Sequence, residues 1–515
     1  MRSRYRFLAL GLLIFLSCNT ETKMESMWPY GVKYEIFVLA FADGNGDGKG
    51  DLKGLTEKLD YIEELGVNGI WLMPVMPSPS YHKYDVTDYK EIHPDYGTLQ
   101  EFKAFVEEAH RRSIRVVIDL VLNHTSKEHP WFKSASEGKG SPYRNYYVWA
   151  DKDSIQDQIS KKTITLDSDN ITQWHAVKDD SQAEHYYGFF SGNMPDLNFD
   201  NAKVREEVVG IARFWLNEMN VDGFRFDAAK HIYPDDRAQD SHDFWQWYRK
   251  ELERIKPDVY LIGEVYSLNK DEVVPYTKGL PSLFNFEMGR AIINTVNAGK
   301  DTVGLIRQYQ KQNDFFASVS SDFLDSPILT NHDQNRIFSE LNNDLNKAKV
   351  AASIFLTLPG APYIYYGEEL GMRGVKPDEF IREPFLWGDG IHTTTWITPT
   401  YNTDGTVAPL NVQQKNPASL YNYYKKLITY RNSSNVLTKG NVQAIDQLPT
   451  EVIGLKRKFE EKEVLIFHNI SDVEITLDLN KFKGFDKINF STDESTKLDN
   501  INLTLPAYAT VVISN

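Results

Sequence analysis

Between residues 28 and 430 the chain carries eight short apolar runs, mostly with stretches of helical period between them. The runs lie at 34–39, 67–75, 115–122, 221–226, 259–265, 283–286, 327–330 and 363–365. Amphipathic stretches at 52–65, 99–112, 202–219 and 244–255 fall between them, and a last one follows at 418–430. The third run, R-V-V-I-D-L-V-L, is almost unbroken in apolar residues, as a parallel strand buried on both faces requires. Strands that alternate with helices need crossover connections, and eight of them close most simply into a (β/α)8 barrel. The barrel is expected to span 28–124 and 194–430. Between these segments, residues 125–193 are rich in Ser, Lys, Asp, Tyr and Gly without a clear period, and are expected to form a separate excursion after strand three. Beyond residue 430 the helical period stops. Short apolar runs at 454–458, 463–468, 473–479, 487–491 and 501–513 predict a C-terminal antiparallel β-sandwich over 431–515.

Composition narrows the function classes. With 41% hydrophobic and 25% charged residues the chain is neither disordered nor a multi-span membrane protein. A formal net charge of -15 would repel a phosphate backbone, which argues against nucleic acid as a partner. The N-terminus carries Arg2, Arg4 and Arg6, an apolar run at 7–16, and then the only cysteine, Cys18. That run is too short to span a bilayer and fits a signal-peptide core. Its placement resembles a bacterial lipoprotein signal, which implies export, lipidation at Cys18 and a periplasmic or cell-surface location, with 1–27 serving as signal and tether. The lipid anchor would be the chain's only link to a membrane.

In a (β/α)8 barrel, chemistry collects at the C-terminal ends of the strands. Those ends carry Asp119 and His124 after strand three, then Arg225, Asp227, Lys230 and His231 after strand four. Glu264 follows strand five, and His332 with Asp333 follows strand seven. Arg225 and Asp227 are two residues apart in a strand and therefore share a face. Three carboxylates converging on one rim suit glycoside hydrolysis, in which one acid protonates the leaving oxygen and another attacks the anomeric carbon or activates water. A cation beside Asp227 favours its ionised form, so Asp227 is the expected nucleophile and Glu264 the expected acid.

The motifs D-L-V-L-N-H (119–124), G-F-R-F-D-A-A-K-H (223–231), G-E-V (263–265) and N-H-D (331–333) resemble the strand-end signatures of the α-amylase family, glycoside hydrolase family 13. G-V-N-G-I-W-L-M-P-V (66–75), M-P-D-L-N (194–198) and G-A-P-Y-I-Y-Y-G-E-E-L-G-M (360–372) extend the likeness. The resemblance implies a retaining double displacement with Asp227 as nucleophile, Glu264 as acid and base, and Asp333 as a transition-state stabiliser. It implies that His82, Tyr84, His124, Arg225 and His332 hold the sugar and the nucleophile, and that Lys230 and His231 contact sugars beyond the cleaved bond. Lys83 stands where relatives often have glycine. Ala228 resembles enzymes acting on α-1,4 bonds, which implies a starch-like glucan or maltooligosaccharide substrate. The alternatives are neopullulanase, cyclomaltodextrinase or glucanotransferase chemistry at the same site, and, outside enzymes, a surface glucan-binding lipoprotein.

Residues 43–51 read D-G-N-G-D-G-K-G-D, with oxygen-bearing side chains at alternate positions and glycines that let the loop curl, a pattern that gathers ligands for a hard cation. The family resemblance implies a structural Ca²⁺ held by Asp43, Asn45, Asp47, Asp51 and the Lys49 carbonyl. It also implies a second calcium site starting from Asn123, whose partners in the excursion the sequence does not identify.

Overall fold

The computed structural model describes residues 27–161, 173–177, 184–403 and 405–515. The proposed signal and Cys18 lie outside these residues, as do parts of the excursion. Eight parallel strands form the central sheet: β1 (Lys33–Ile36), β2 (Gly69–Leu72), β3 (Arg115–Leu120), β4 (Gly223–Phe226), β5 (Tyr260–Gly263), β6 (Ser282–Asn285), β7 (Leu324–Pro327) and β8 (Tyr363–Tyr365). They pair in chain order from β1 to β7, β8 pairs with β1, and a bridge between Ile328 and Tyr363 joins β7 to β8. This is the expected barrel. Register is tight where it matters for the rim, with Phe226 opposite both Leu120 and Gly263. Gly223 opens β4 because no larger residue fits: an added Cβ would lie 2.0 Å from the Tyr260 carbonyl oxygen on β5.

Several boundaries differ from the sequence reading. The first strand stops at Ile36, and Val38–Phe41 turns into one helical turn that caps the barrel mouth. The seventh strand lies earlier than 327–330, because Pro327 has no N–H to continue a ladder. The helical stretch at 52–65 is two helices, Leu52–Glu57 and Leu59–Leu65, that meet at Lys58. Outside the barrel the helix Leu99–Arg111 begins in a full capping box: Thr98 accepts from the Glu101 amide, and Glu101 accepts from the Thr98 amide.

The excursion after β3 contains a small antiparallel sheet in which His185–Tyr187 lies between Trp149–Ala150 and Trp174–Ala176. Bridges from His124 to Asp196 and from Tyr147 to Leu197 fix it against the barrel mouth. At the C-terminal end, a five-stranded and a three-stranded antiparallel sheet pack on a shared core that includes Leu465, Phe467, Leu477, Leu503 and Val511. The run at 501–513, read as one strand, is two: Asn502–Leu505 in the small sheet and Thr510–Ser514 in the large one. Pro506, which lacks an amide hydrogen, stands at the crossing between the sheets. Two fully buried arginines secure this unit to the barrel. Arg457 donates to the carbonyls of Thr357, Leu437, Gly440 and Asn441, and Arg431 to those of Leu356, Leu358 and Gly360. Among the described residues no helix is long and apolar enough to cross a membrane.

Candidate active site

A cleft of about 640 Å³ opens at the C-terminal ends of the strands, between the barrel and the excursion. Asp227, Glu264 and Asp333 line it, together with His82, Tyr84, His124, Lys230 and His231. Beneath them lies Arg225, fully buried, whose guanidinium is the centre of the arrangement. Its Nη1 donates to Asp227 Oδ1 at 2.7 Å and to both oxygens of Asp119 at 2.9 Å, while Nη2 donates to Glu264 Oε2 at 2.8 Å. One cation therefore joins Asp227 to Glu264. The β4–β5 register makes this possible, because Phe226 pairs with Gly263 and brings the next residue of each strand to the same level.

Beyond Phe226 the backbone turns at Ala228, which adopts a left-handed conformation with φ of 47° and donates its N–H to Glu264 Oε2 at 3.1 Å. Burial raises both carboxyls above their ordinary range, against the pull of Arg225. The expectation that Arg225 would single out Asp227 is corrected by the geometry, since the guanidinium serves Glu264 as well. The remaining asymmetry is electrostatic. Glu264 is repelled by Asp227 and by Asp333, whereas Asp227 is repelled by Asp333 but also faces His332. His332 thus favours the ionised form of Asp227, and Glu264 is the better placed of the two to carry a proton.

Across the cleft Asp333 accepts from Arg382 Nη2 at 2.9 Å and lies 3.1 Å from His332 Nε2. Burial works to raise its carboxyl, but His332 and Arg382 overcome that and hold it well below the usual carboxylate range. The Tyr84 ring stacks on His332, with centroids 5.5 Å apart and planes 11° from parallel. His82 Nδ1 accepts from the Tyr84 amide at 3.1 Å, and burial lowers its pKa, so the neutral ring keeps its proton on Nε2. His124 donates from Nε2 to the Tyr84 carbonyl at 3.2 Å; burial holds it neutral with a pKa of about 4. His231 stacks on Phe189 at 4.0 Å, and Lys230 lies 3.5 Å from Asp235. Arg225 and His332 are placed differently from the other expected sugar contacts: both are buried behind the cleft and reach its contents only through the carboxylates and Tyr84. Lys83 takes φ of 67°, a left-handed conformation in which glycine is at ease, and its ammonium turns away to the Ser80 carbonyl.

The sequence reading missed other residues on the cleft, chiefly Arg382, Phe190, Tyr266 and Arg290. Phe190 and Tyr266 are 46% and 47% exposed. Tyr266 was within reach, two residues beyond Glu264 on the same strand exit. Arg382 comes from the short helix Asp378–Ile381 and its C-cap, beyond the eighth strand, where no strand-end rule applies.

The chain matches the family description "Alpha amylase, catalytic domain" over residues 35–440. It belongs to the α-amylase family. Residues 452–512 match the C-terminal domain described for the α-amylase SusG. The chain is 42% identical to Alpha-amylase 3 of Dictyoglomus thermophilum over 95% of its own length and 94% of that protein. It is 34% identical to a 4-alpha-glucanotransferase of Thermotoga neapolitana, covering 87% of this chain and 97% of that one. The crystal structure of an α-amylase from H. orenii superposes with a TM-score of 0.85 at 43% identity, covering 94% of this chain and 99% of that one. As a member of the α-amylase family the chain is a glycosidase of the hydrolase and transglycosylase type.

Members of the α-amylase family commonly bind calcium, and donors for such an ion lie in the loop at 43–51. Asp43 accepts from the amides of Asn45, Gly46 and Gly48 at 3.1, 2.6 and 2.7 Å, and Asp51 from that of Gly54 at 2.7 Å, so the loop curls around its own carboxylates. Asn45 and Asp47 each accept from the amide two residues on, at 2.9 and 2.8 Å, and the Lys49 ammonium pairs with Asp95. Among the described residues no three acidic, His or Cys side chains form a ready cage. The donor set is nonetheless all oxygen, with lone pairs left over on each carboxylate, and it suits a hard cation. At the other implied site Asn123 meets Asp196 of the M-P-D-L-N motif, a pairing across the seam that spacing could not show.

Proposed function

We propose that this protein is a retaining glycosidase that cleaves α-1,4-glucosidic bonds in starch-like glucans or maltooligosaccharides through a covalent glycosyl-enzyme. The observation that carries this reading is the Arg225 bridge between Asp227 and Glu264 on the floor of the cleft, with Asp333 held opposite. Glu264 gives its proton to the glycosidic oxygen as that bond breaks, and Asp227 forms a bond to the anomeric carbon. Water then enters, loses a proton to Glu264 and displaces Asp227, which restores both groups. Asp333, kept ionised by Arg382 and His332, accepts from sugar hydroxyls, and Tyr84 offers its ring to the same sugar. Asp43, Asn45, Asp47, Asp51 and the Lys49 carbonyl would hold a structural Ca²⁺, which fastens the loop after β1 when bound.

Asp227→Asn tests the assignment on starch and maltooligosaccharides. It is expected to lower kcat by about 10⁴-fold or more, and a variant that keeps its activity would remove Asp227 from the role.

A second reading, transfer of the glycosyl group to a sugar hydroxyl in place of water, is favoured by the exposed rings of Phe190 and Tyr266, whose apolar faces suit an acceptor sugar. The relative named a 4-alpha-glucanotransferase supports it. Product analysis on maltotriose separates the two, since longer oligosaccharides appear early only under transfer.

We propose further that the protein is exported and lipidated at Cys18, which would be its sole membrane attachment; the support is the basic start and apolar run before that cysteine. Cys18→Ser is expected to move the protein from the membrane fraction to the soluble fraction, and retention on membranes would count against the anchor.

A further inference from the structure

Behind the cleft lies a file of buried polar groups that starts from a carboxylate to which the reaction above gives no task. Glu35, on β1, is fully buried, and its Oε1 lies 2.5 Å from His332 Nδ1. Its other oxygen has no hydrogen-bond partner among the described residues. On the far side of the imidazole, Nε2 lies 2.7 Å from the Tyr84 hydroxyl and 3.1 Å from Asp333 Oδ2. The Tyr84 hydroxyl donates to Asp119 Oδ2 at 3.0 Å, and Asp119 accepts from Arg225.

With Glu35, Asp119 and Asp333 ionised, donor and acceptor chemistry fixes the direction of every bond in this file. Burial raises the Glu35 carboxyl while His332 and Arg225 pull it back down; once ionised it can only accept, so Nδ1 carries a proton for it. The Tyr84 hydroxyl has one proton and spends it on Asp119, so towards Nε2 it accepts, as Asp333 does. Nε2 therefore carries a proton too, and the ring is an imidazolium.

We propose that Glu35 is a positioning residue, whose buried charge keeps His332 doubly protonated so that its Nε2–H orients Asp333 and Tyr84 for the reaction. This rests on the carboxylate roles assigned above. Burial alone would strip the second proton from His332, and the carboxylates of Asp333 and Glu35 reverse that, raising its pKa to about 10. Asp119 and Asp227 face the ring from the ends of β3 and β4, and they add to its charge. Arg225 and Arg382 oppose them, the latter donating to the His332 carbonyl. On the β8 side Tyr363 and Tyr365 are the titratable neighbours of Glu35. Of the two carboxylates that bond the ring, Asp333 faces the cleft and is 42% exposed, whereas Glu35 is enclosed behind the ring, where burial raises its carboxyl and His332 draws it back down. The sequence offered no signal for this, because Glu35 lies within a strand and not at its end.

Glu35→Gln keeps the shape and an acceptor for Nδ1–H, and removes only the charge. Spectra of protein labelled with ¹⁵N-histidine, with His332 assigned by its loss in His332→Asn, are expected to show both ring nitrogens protonated at pH 8 in the wild type and one in Glu35→Gln. The variant's kcat at that pH is expected to fall about 10- to 100-fold with KM little changed, because substrate still binds while the groups around it are misdirected. A merely structural role would leave the ring's protonation untouched. The proposal is overturned if His332 is singly protonated in the wild type, if it stays doubly protonated in Glu35→Gln, or if kcat holds once that proton is lost. The wild-type spectrum decides between one and two ring protons even if the variant does not fold. An active Asp227→Asn would sink the carboxylate assignment while leaving the histidine spectra to decide the part played by Glu35, so the two failures are distinguishable.

Discussion

Arg225 shares one positive charge among Asp119, Asp227 and Glu264, so no carboxylate in the group receives a full counter-ion. Asp119, the most enclosed, is pushed by burial to about 7. Burial raises Glu264 as well, and repulsion from Asp227 and Asp333 acts in the same direction, so both favour its protonated form. Removing that proton donor has a signature that depends on the leaving group. Glu264→Gln is expected to lose about 10²- to 10⁴-fold in kcat on maltooligosaccharides and far less on glucosides whose leaving group departs without protonation. An equal loss on both substrate types would exclude Glu264 as the acid. At this scale the sequence was informative wherever a group lies on a strand end: Arg225 and Asp227 follow from the two-residue period, and Glu264 from the next strand. It was silent on Arg382 and Glu35, whose parts in the site depend on how distant segments meet.

At the scale of elements, what spacing could not foresee was where backbone hydrogen bonding is interrupted. Pro327 ends β7 ahead of the apolar run that suggested the strand, and Pro506 stands where 501–513 divides between two sheets. The apolar pattern records burial, and burial continues past a proline at which regular pairing breaks off. The loop at 43–51 shows a different gap between pattern and geometry. Its alternating oxygens are visible in the sequence, but their first partners are the loop's own amides, and Asp51 doubles as the N-cap of Leu52–Glu57. A cation joining the oxygens left over would tie the loop to that helix, and binding only the folded state stabilises it. A chelator is expected to lower the melting temperature and added Ca²⁺ to restore it; an unchanged melt after exhaustive chelation would argue against a resident ion.

Over the whole molecule, burial raises several carboxyls more than their neighbours can offset. Asp325 is pushed to about 7, Glu369 to about 7, Glu368 to about 8 and Asp196 to about 8, in each case by desolvation first. In the unfolded chain these groups ionise near pH 4. Between that point and their folded values the native state binds the extra protons, so stability falls as pH rises through this window. The net charge of -15 acts in the same direction, because protonation lessens self-repulsion. The melting temperature is therefore expected to be higher at pH 5.5 than at pH 8.5, and a melt that climbs with pH over that range would contradict these buried groups.

The barrel's last seam has a consequence for how the site comes into being. β1 and β8 are neighbours in space, with Glu35 beside Tyr365, yet most of the chain separates them. As the polypeptide emerges from the ribosome, the outer edge of β1 stays unpaired until β8 has been made, an exposed ladder of the kind other strands can invade. Glu35 and His332 come from the two sides of that seam, since His332 follows β7, and Ile328 at the end of β7 bridges to β8. The site is thus not decoration on a finished barrel. Closing the seam and bringing these two side chains together are one event, and a chain arrested before it has all its earlier strands but no assembled cleft.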